Sequence, residues 1–74
     1  MQREDIDNWF SYHAPTPDQL VAYEKIRSDA KQFAHALNDL VPDCADKTAA
    51  IRLLREAVMT ANAAIACYPG RSTV

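Results

Sequence analysis

The sequence predicts an all-α fold: an antiparallel helical hairpin with a short N-terminal helix and an aromatic loop, assembling into a homo-oligomer. Three observations predict it. The chain is rich in alanine, poor in β-branched residues and holds a single glycine among 74 residues, a composition that favours helix nearly throughout. Two long stretches repeat apolar residues at alternating spacings of three and four, the seam of one helix packed on another. Both stretches end at a proline, and only a tight turn separates them, so the two helices must run antiparallel.

Residues 1–15 form the N-terminal segment and loop. Charges mixed with Ile6, Trp9 and Phe10 allow one or two helical turns, leading into the aromatic loop Trp9-Phe10-Ser11-Tyr12-His13-Ala14-Pro15. Thr16-Pro17-Asp18-Gln19 then reads as a helix start. Thr16 is the N-cap, Pro17 takes the first helical position, Gln19 completes a capping box and Asp18 complements the helix dipole.

The first long helix is expected over 17–41, with Tyr23, Ile26, Ala30, Phe33, Leu37 and Leu40 as its seam. Pro42 ends it, because the residue before a proline avoids the helical region. Asp43 is placed to cap the second long helix, expected over 44–68, with Asp46 at the favourable end of its dipole. Ile51, Leu54, Val58, Ala61 and Ile65 form the answering seam, and Pro69-Gly70 stops the helix. The tail is 69–74, and its last four residues are expected to fray. The whole of 1–74 is read as one domain, since a chain of this length bounds the count at one.

The second helix carries more apolar surface than one partner covers. Ala50, Leu53, Ala57, Ala64 and Cys67 make a further stripe, and an apolar stripe left in water is a liability. The N-terminal segment folding over it and self-association both answer that need, and they are compatible. Asn62 sits among alanines, where a polar group either fixes the register of a helix–helix contact or reaches a ligand.

Composition excludes some functions. A net charge of −2 and a pI near 5.5 argue against a binder of DNA or RNA polymers, which needs a basic face. A small anion needs only a local cationic spot. No signal peptide and no membrane-length apolar run is visible. Cys44 and Cys67, 23 residues apart along one helix, lie roughly 35 Å from each other at the helical rise, beyond disulfide reach. Free thiols fit a reducing cytosol, so the expected location is cytoplasmic, in the host cell if the chain is phage-encoded.

Catalytic patterns are missing. His13 and His35 fall on different elements, no nucleophile stands by a base, and no CxxC, HxxxH or HExxH spacing occurs. The chain is therefore read as a non-enzyme with no cofactor and no metal. Arg27 and Lys31 lie one helical turn apart and point the same way, with His35 continuing the row. That row is either a solvated face, Glu24 pairing with Arg27 at little net gain, or an anion site. Tyr12 is either a lid on the hairpin or a stacking ring. Taken together, a ring for a base and an arginine for a phosphate form a nucleotide clamp.

Several separated motifs share their spacing with one known family. They are Phe10-Ser11-Tyr12-His13-Ala14-Pro15, then Gln19, Tyr23, Ile26-Arg27, Ala30-Lys31 and Phe33-Ala34, then Glu56-Ala57-Val58-Met59 and Ala61-Asn62-Ala63-Ala64-Ile65-Ala66. From about residue 9 to residue 67 the chain resembles the phage anti-CBASS sponges, which counter an antiphage defence that signals with cyclic oligonucleotides. The resemblance implies a helical hairpin assembled into a hexamer. It also implies cyclic dinucleotides bound between protomers and held without cleavage, a loop tyrosine on the bases and a basic helix residue on phosphate. The tyrosine corresponds to Tyr12 and the basic residue to Arg27. The ligand-binding residues expected are thus Tyr12, His13, Arg27 and Lys31. Family members that hold cyclic trinucleotides tend to carry arginine where this chain has Cys67, and Arg71 lies beyond Pro69-Gly70, which counts against a trinucleotide site. The alternative function is that of an oligomeric helical-hairpin adaptor.

Overall fold

The computed structural model describes residues 1–70, which form three helices: α1 (Arg3–Trp9), α2 (Pro17–Leu40) and α3 (Ala45–Cys67). The fraying expected of residues 71–74 and the position of Arg71 lie outside the described residues. No strand occurs among the described ones. The start of α2 forms as its sequence dictates. Gln19 N donates to Thr16 Oγ1 at 3.2 Å, and Thr16 N donates to Gln19 Oε1 at 2.9 Å. This capping box satisfies free N–H groups at the helix start and in the residue before it. At the other end Val41 is extended, as Pro42 requires, and its N–H closes on the Leu37 carbonyl.

The start of α3 differs from expectation. Cys44, in extended conformation, is the N-cap and makes no side-chain cap bond. Asp43 stands one residue too early to cap. It instead accepts from Lys47 Nζ at 2.8 Å, an i,i+4 pair that fastens the turn to the first turn of α3. At the end of α3 the chain turns through Gly70 at φ +81°, a left-handed conformation that side chains with a Cβ adopt at a cost.

The helices α2 and α3 pack side by side as the hairpin. Tyr23, Ile26, Ala30 and Leu37 of the expected α2 seam are half-buried, together with Ile51, Leu54, Val58, Ala61 and Ile65 of α3. Phe33 and Leu40 are corrections: they are exposed, at 56% and 83%, while Ala34 is half-buried. An ideal helix drifts about 20° per heptad against a strict seven-residue seam, and this drift carries Phe33 and Leu40 out of the contact and Ala34 into it. Trp9 is also corrected, since it is the last residue of α1 and not part of the loop.

Side chains cap the end of α3. Its last turn leaves carbonyls that no intrahelical N–H reaches. Gln19 Nε2 donates to the Ile65 carbonyl at 3.1 Å, and Asn8 Nδ2 donates to the Cys67 carbonyl at 2.9 Å. Trp9 Nε1 adds a bond to the Tyr68 hydroxyl at 3.1 Å. The bonds of Asn8 and Trp9 lay α1 across the C-terminal end of α3, where Trp9 borders a groove with Ala64 and Cys67 of the spare stripe while Ala64 stays exposed. Leu53, further along that stripe, stays 64% exposed.

No described residue is fully buried. The radius of gyration is 15.2 Å, against about 11 Å for a compact domain of this length. One chain is thus a two-helix layer with a short arm, and no described helix is long and apolar enough to cross a membrane.

Candidate ligand-binding groove

The side-by-side packing of α2 and α3 leaves a groove along each face of the hairpin. One of them, about 370 Å³, has Ala30, Ala34, Ile51, Leu54 and Val58 as its floor. Arg27 and Lys31 from α2 and Arg55 and Met59 from α3 complete its walls, and no carboxylate among the described residues lines it. The row of Arg27 and Lys31 therefore borders a concave surface. His35 is exposed and does not line this groove.

The three cations differ in their partners. Arg27 Nη2 donates to Glu24 Oε2 at 2.7 Å, an i,i+3 pair whose side chains are 69% and 74% exposed. A pair so open to water contributes at most about 1 kcal/mol, so an incoming phosphate displaces Glu24 at small cost. Lys31 and Arg55 make no hydrogen bond or ion pair among the described residues. Arg27 also borders a second groove with Leu20, Tyr23, Asn62, Ala63 and Ala66. There the Asn62 side-chain oxygen is buried without a partner.

The loop presents its rings outward. Tyr12 is 87% exposed and Phe10 85%. Tyr12 lines neither groove bordered by Arg27 and makes no hydrogen bond among the described residues. The ring and the cations are therefore not brought together within one chain. His13 is half-buried and turned inward, its Nε2 lying 2.7 Å from the Asn8 carbonyl. A carbonyl only accepts, so Nε2 carries the proton and donates. Ser11 Oγ donates to the Asp7 carbonyl. These two bonds fold the loop back on α1 and hold Tyr12 in its projecting position.

Among the described residues no group of His, Cys, Asp or Glu is gathered to hold a metal ion. Asp43, at the turn, is held below the ordinary carboxylate value by the hydrogen bond and charge of Lys47, and it lies outside the groove. What the groove offers chemically is an apolar floor for a flat or sugar-like surface and fixed positive charge for phosphate.

The model of the Acb2/Tad1 hairpin domain matches residues 2–66. The chain belongs to this family. Acb2/Tad1 proteins are the anti-CBASS sponges, and membership carries a cyclic-oligonucleotide-binding, anti-CBASS role in general. No curated protein and no solved structure matches the chain.

For an Acb2/Tad1 hairpin, the structure adds two residues that the sequence did not mark: Arg55 in the groove and Asn8 at the end of α3. Arg55 escaped because nothing in α3 alone distinguishes it from the solvated Arg52 beside it. Its partner cations lie on another helix, and only the hairpin's packing joins them. Asn8 escaped because its two long-range ties, to the Cys67 carbonyl through its side chain and to Cys67 Sγ through its own carbonyl at 3.8 Å, span 59 residues. No local pattern announces such a contact.

Proposed function

We propose that this Acb2/Tad1 hairpin sequesters cyclic dinucleotides without cleaving them, in the host cytoplasm, as a homo-oligomer. The observation that carries the proposal is the charge of the groove. In a chain of net charge −2 with eight lysines and arginines, three of them line one concave surface that holds no carboxylate among the described residues. Such a surface selects a small anion with apolar faces over a nucleic-acid polymer, which needs an extended basic face. Arg27 and Lys31 hold phosphate, Tyr12 stacks on a base, and His13 sets the position of the loop.

The same observations support assembly. Tyr12 reaches no cation groove of its own chain, so the clamp closes when Tyr12 of one protomer meets the groove of another. With no fully buried residue among those described, the hairpin also lacks the apolar burial that stabilises a monomer. The family resemblance implies a hexamer. Cyclic trinucleotides are a poor fit, because Cys67 turns its sulfur to the Asn8 carbonyl where an arginine would present a guanidinium to a phosphate. No cofactor, metal or membrane enters this reading.

The alternative is an adaptor that docks a partner helix in the opposite groove, which Ile26, Phe33, Leu54, Ala57 and Ala61 line. Thermal unfolding against a panel of cyclic dinucleotides separates the two. A ligand bound only by the native state raises the melting temperature by mass action, and chromatography of the denatured complex should return the ligand intact. An unmoved melting temperature across the panel favours the adaptor, and linear products reveal a nuclease.

A further inference from the structure

We propose that Arg55 determines the groove's specificity, holding the second phosphate of a cyclic dinucleotide and so separating a two-phosphate ring from nucleotides with one phosphate. The proposal rests on the cyclic-dinucleotide reading above and assigns to Arg55 a role within it.

The geometry is that of two charged walls. Arg27 and Lys31 stand one turn apart on α2, about 6 Å along the axis at the helical rise. Arg55 faces the same groove from α3, and packed helices hold their axes about 8–10 Å apart. A cyclic dinucleotide carries its two phosphodiesters on opposite sides of one ring. Seated over the floor of Ala30, Leu54 and Val58, it presents one phosphate to each wall. A nucleotide with a single phosphate satisfies one wall and leaves the other cation unpaired.

Arg55 has no structural task of its own. It is exposed and makes no hydrogen bond or ion pair among the described residues. Its helical neighbours at three and four residues are Ile51, Arg52, Val58 and Met59, which include a like charge and no acid. A guanidinium kept at a groove without an internal partner is available to an anion, and its planar fork suits phosphate bidentately.

Titration calorimetry tests this with a panel of cyclic dinucleotides and with cyclic AMP as the one-phosphate probe, at two salt concentrations. The proteins are the parent, Arg55→Ala, Arg55→Lys, Arg27→Ala and Arg52→Ala, each checked for helicity by circular dichroism. Arg55→Ala should weaken the best cyclic dinucleotide roughly ten- to a hundredfold, the range of a charge-assisted bond. Its salt dependence should flatten, and the preference for the ring over cyclic AMP should shrink by the same factor. Arg55→Lys should keep the salt dependence while losing part of the affinity, because the charge stays and the fork goes. Arg52→Ala, which removes an equal charge from the same helix outside the groove, should bind as the parent does. The assignment is overturned if Arg55→Ala binds like Arg52→Ala while Arg27→Ala is weakened, and the cyclic-dinucleotide reading then stands. If the folded parent binds no cyclic dinucleotide, both fall.

Discussion

The side-chain amide of Gln19 donates to the carbonyl of Ile65 at 3.1 Å, joining the first turn of α2 to the last turn of α3. The oxygen of the same amide accepts from Thr16 N, so one side chain caps a helix start and a helix end together. Gln19→Glu separates the two tasks. Glutamate keeps the capping box and suits the dipole, but it sets an acceptor against the Ile65 carbonyl. It should cost about 1–2 kcal/mol, the loss of a half-buried hydrogen bond with an acceptor left unpaired. Thr16→Ala should cost about 1 kcal/mol through the cap alone. Denaturant unfolding checks both, and a Gln19→Glu protein as stable as the parent removes Ile65 from the account.

Asn8 anchors α1 and the loop together, through its side chain to Cys67 and its carbonyl to His13. Asn8→Ala should free α1 from α3, at about 1–2 kcal/mol for the broken bond and the exposed carbonyl. Trp9 is the sole tryptophan, so its emission should shift to the red as its bond to Tyr68 opens. Unchanged emission would show that α1 is held by other contacts.

Tyr12 and Arg27 should lose ligand affinity in different ways. Tyr12→Ala should cost about 1–3 kcal/mol, the worth of one base–aromatic stack, with the salt dependence unaltered. Arg27→Ala should cost about 1.5–3 kcal/mol and flatten it. Glu24→Gln should tighten binding, because Arg27 no longer has a carboxylate to leave. Calorimetry on the three folded variants decides. If Tyr12→Ala and Arg27→Ala both bind like the parent, the groove is not the site.

Asp43 and Lys47 give a pH dependence of known sign. The hydrogen bond and charge of Lys47 lower the Asp43 carboxyl below its ordinary 3.8. A group whose folded-state value is depressed stabilises the fold at pH above its unfolded value, and that contribution fades as pH falls through the folded value. Asp43 should therefore titrate below 3.8 by NMR, and Lys47→Met should return it to that value. An Asp43 that titrates normally in the parent would falsify the pairing.

Ala57 lies in the open groove beside Phe33 and Ile26, whereas Ala64 lies beside Trp9 within the chain. Ala57→Glu should break the assembly by burying an unpaired charge at the contact, and sedimentation should show smaller species than the parent. A parent that sediments as a folded monomer at micromolar concentration refutes the oligomer.

Local chemistry made much of this protein legible from residues alone. Pro17 with Thr16 and Gln19, Val41 before Pro42 and the absence of glycine between them declare α2 through nearest neighbours, because caps and breakers act within a turn. The three-and-four spacing of Ile51, Leu54, Val58, Ala61 and Ile65 marked the packed face of α3. Arg27 and Lys31 were legible as a pair because one helix places them together.

Tertiary packing decided the rest. Whether Phe33 or Ala34 faces α3 depends on the drift of one helix against another, which spacing near the boundary of the seam leaves open. Asp43 capped nothing because the turn placed Cys44 at the N-cap and offered Lys47 to the carboxylate instead. Arg55 joined Arg27 and Lys31 only once the two helices lay side by side. The ties of Asn8 to Cys67 and Gln19 to Ile65 span 59 and 46 residues, and they arise because the end of one helix leaves carbonyls that a distant side chain can reach. Periodicity and capping are properties of a single helix and are written in its residues, whereas a groove is a property of two helices and exists only where they meet.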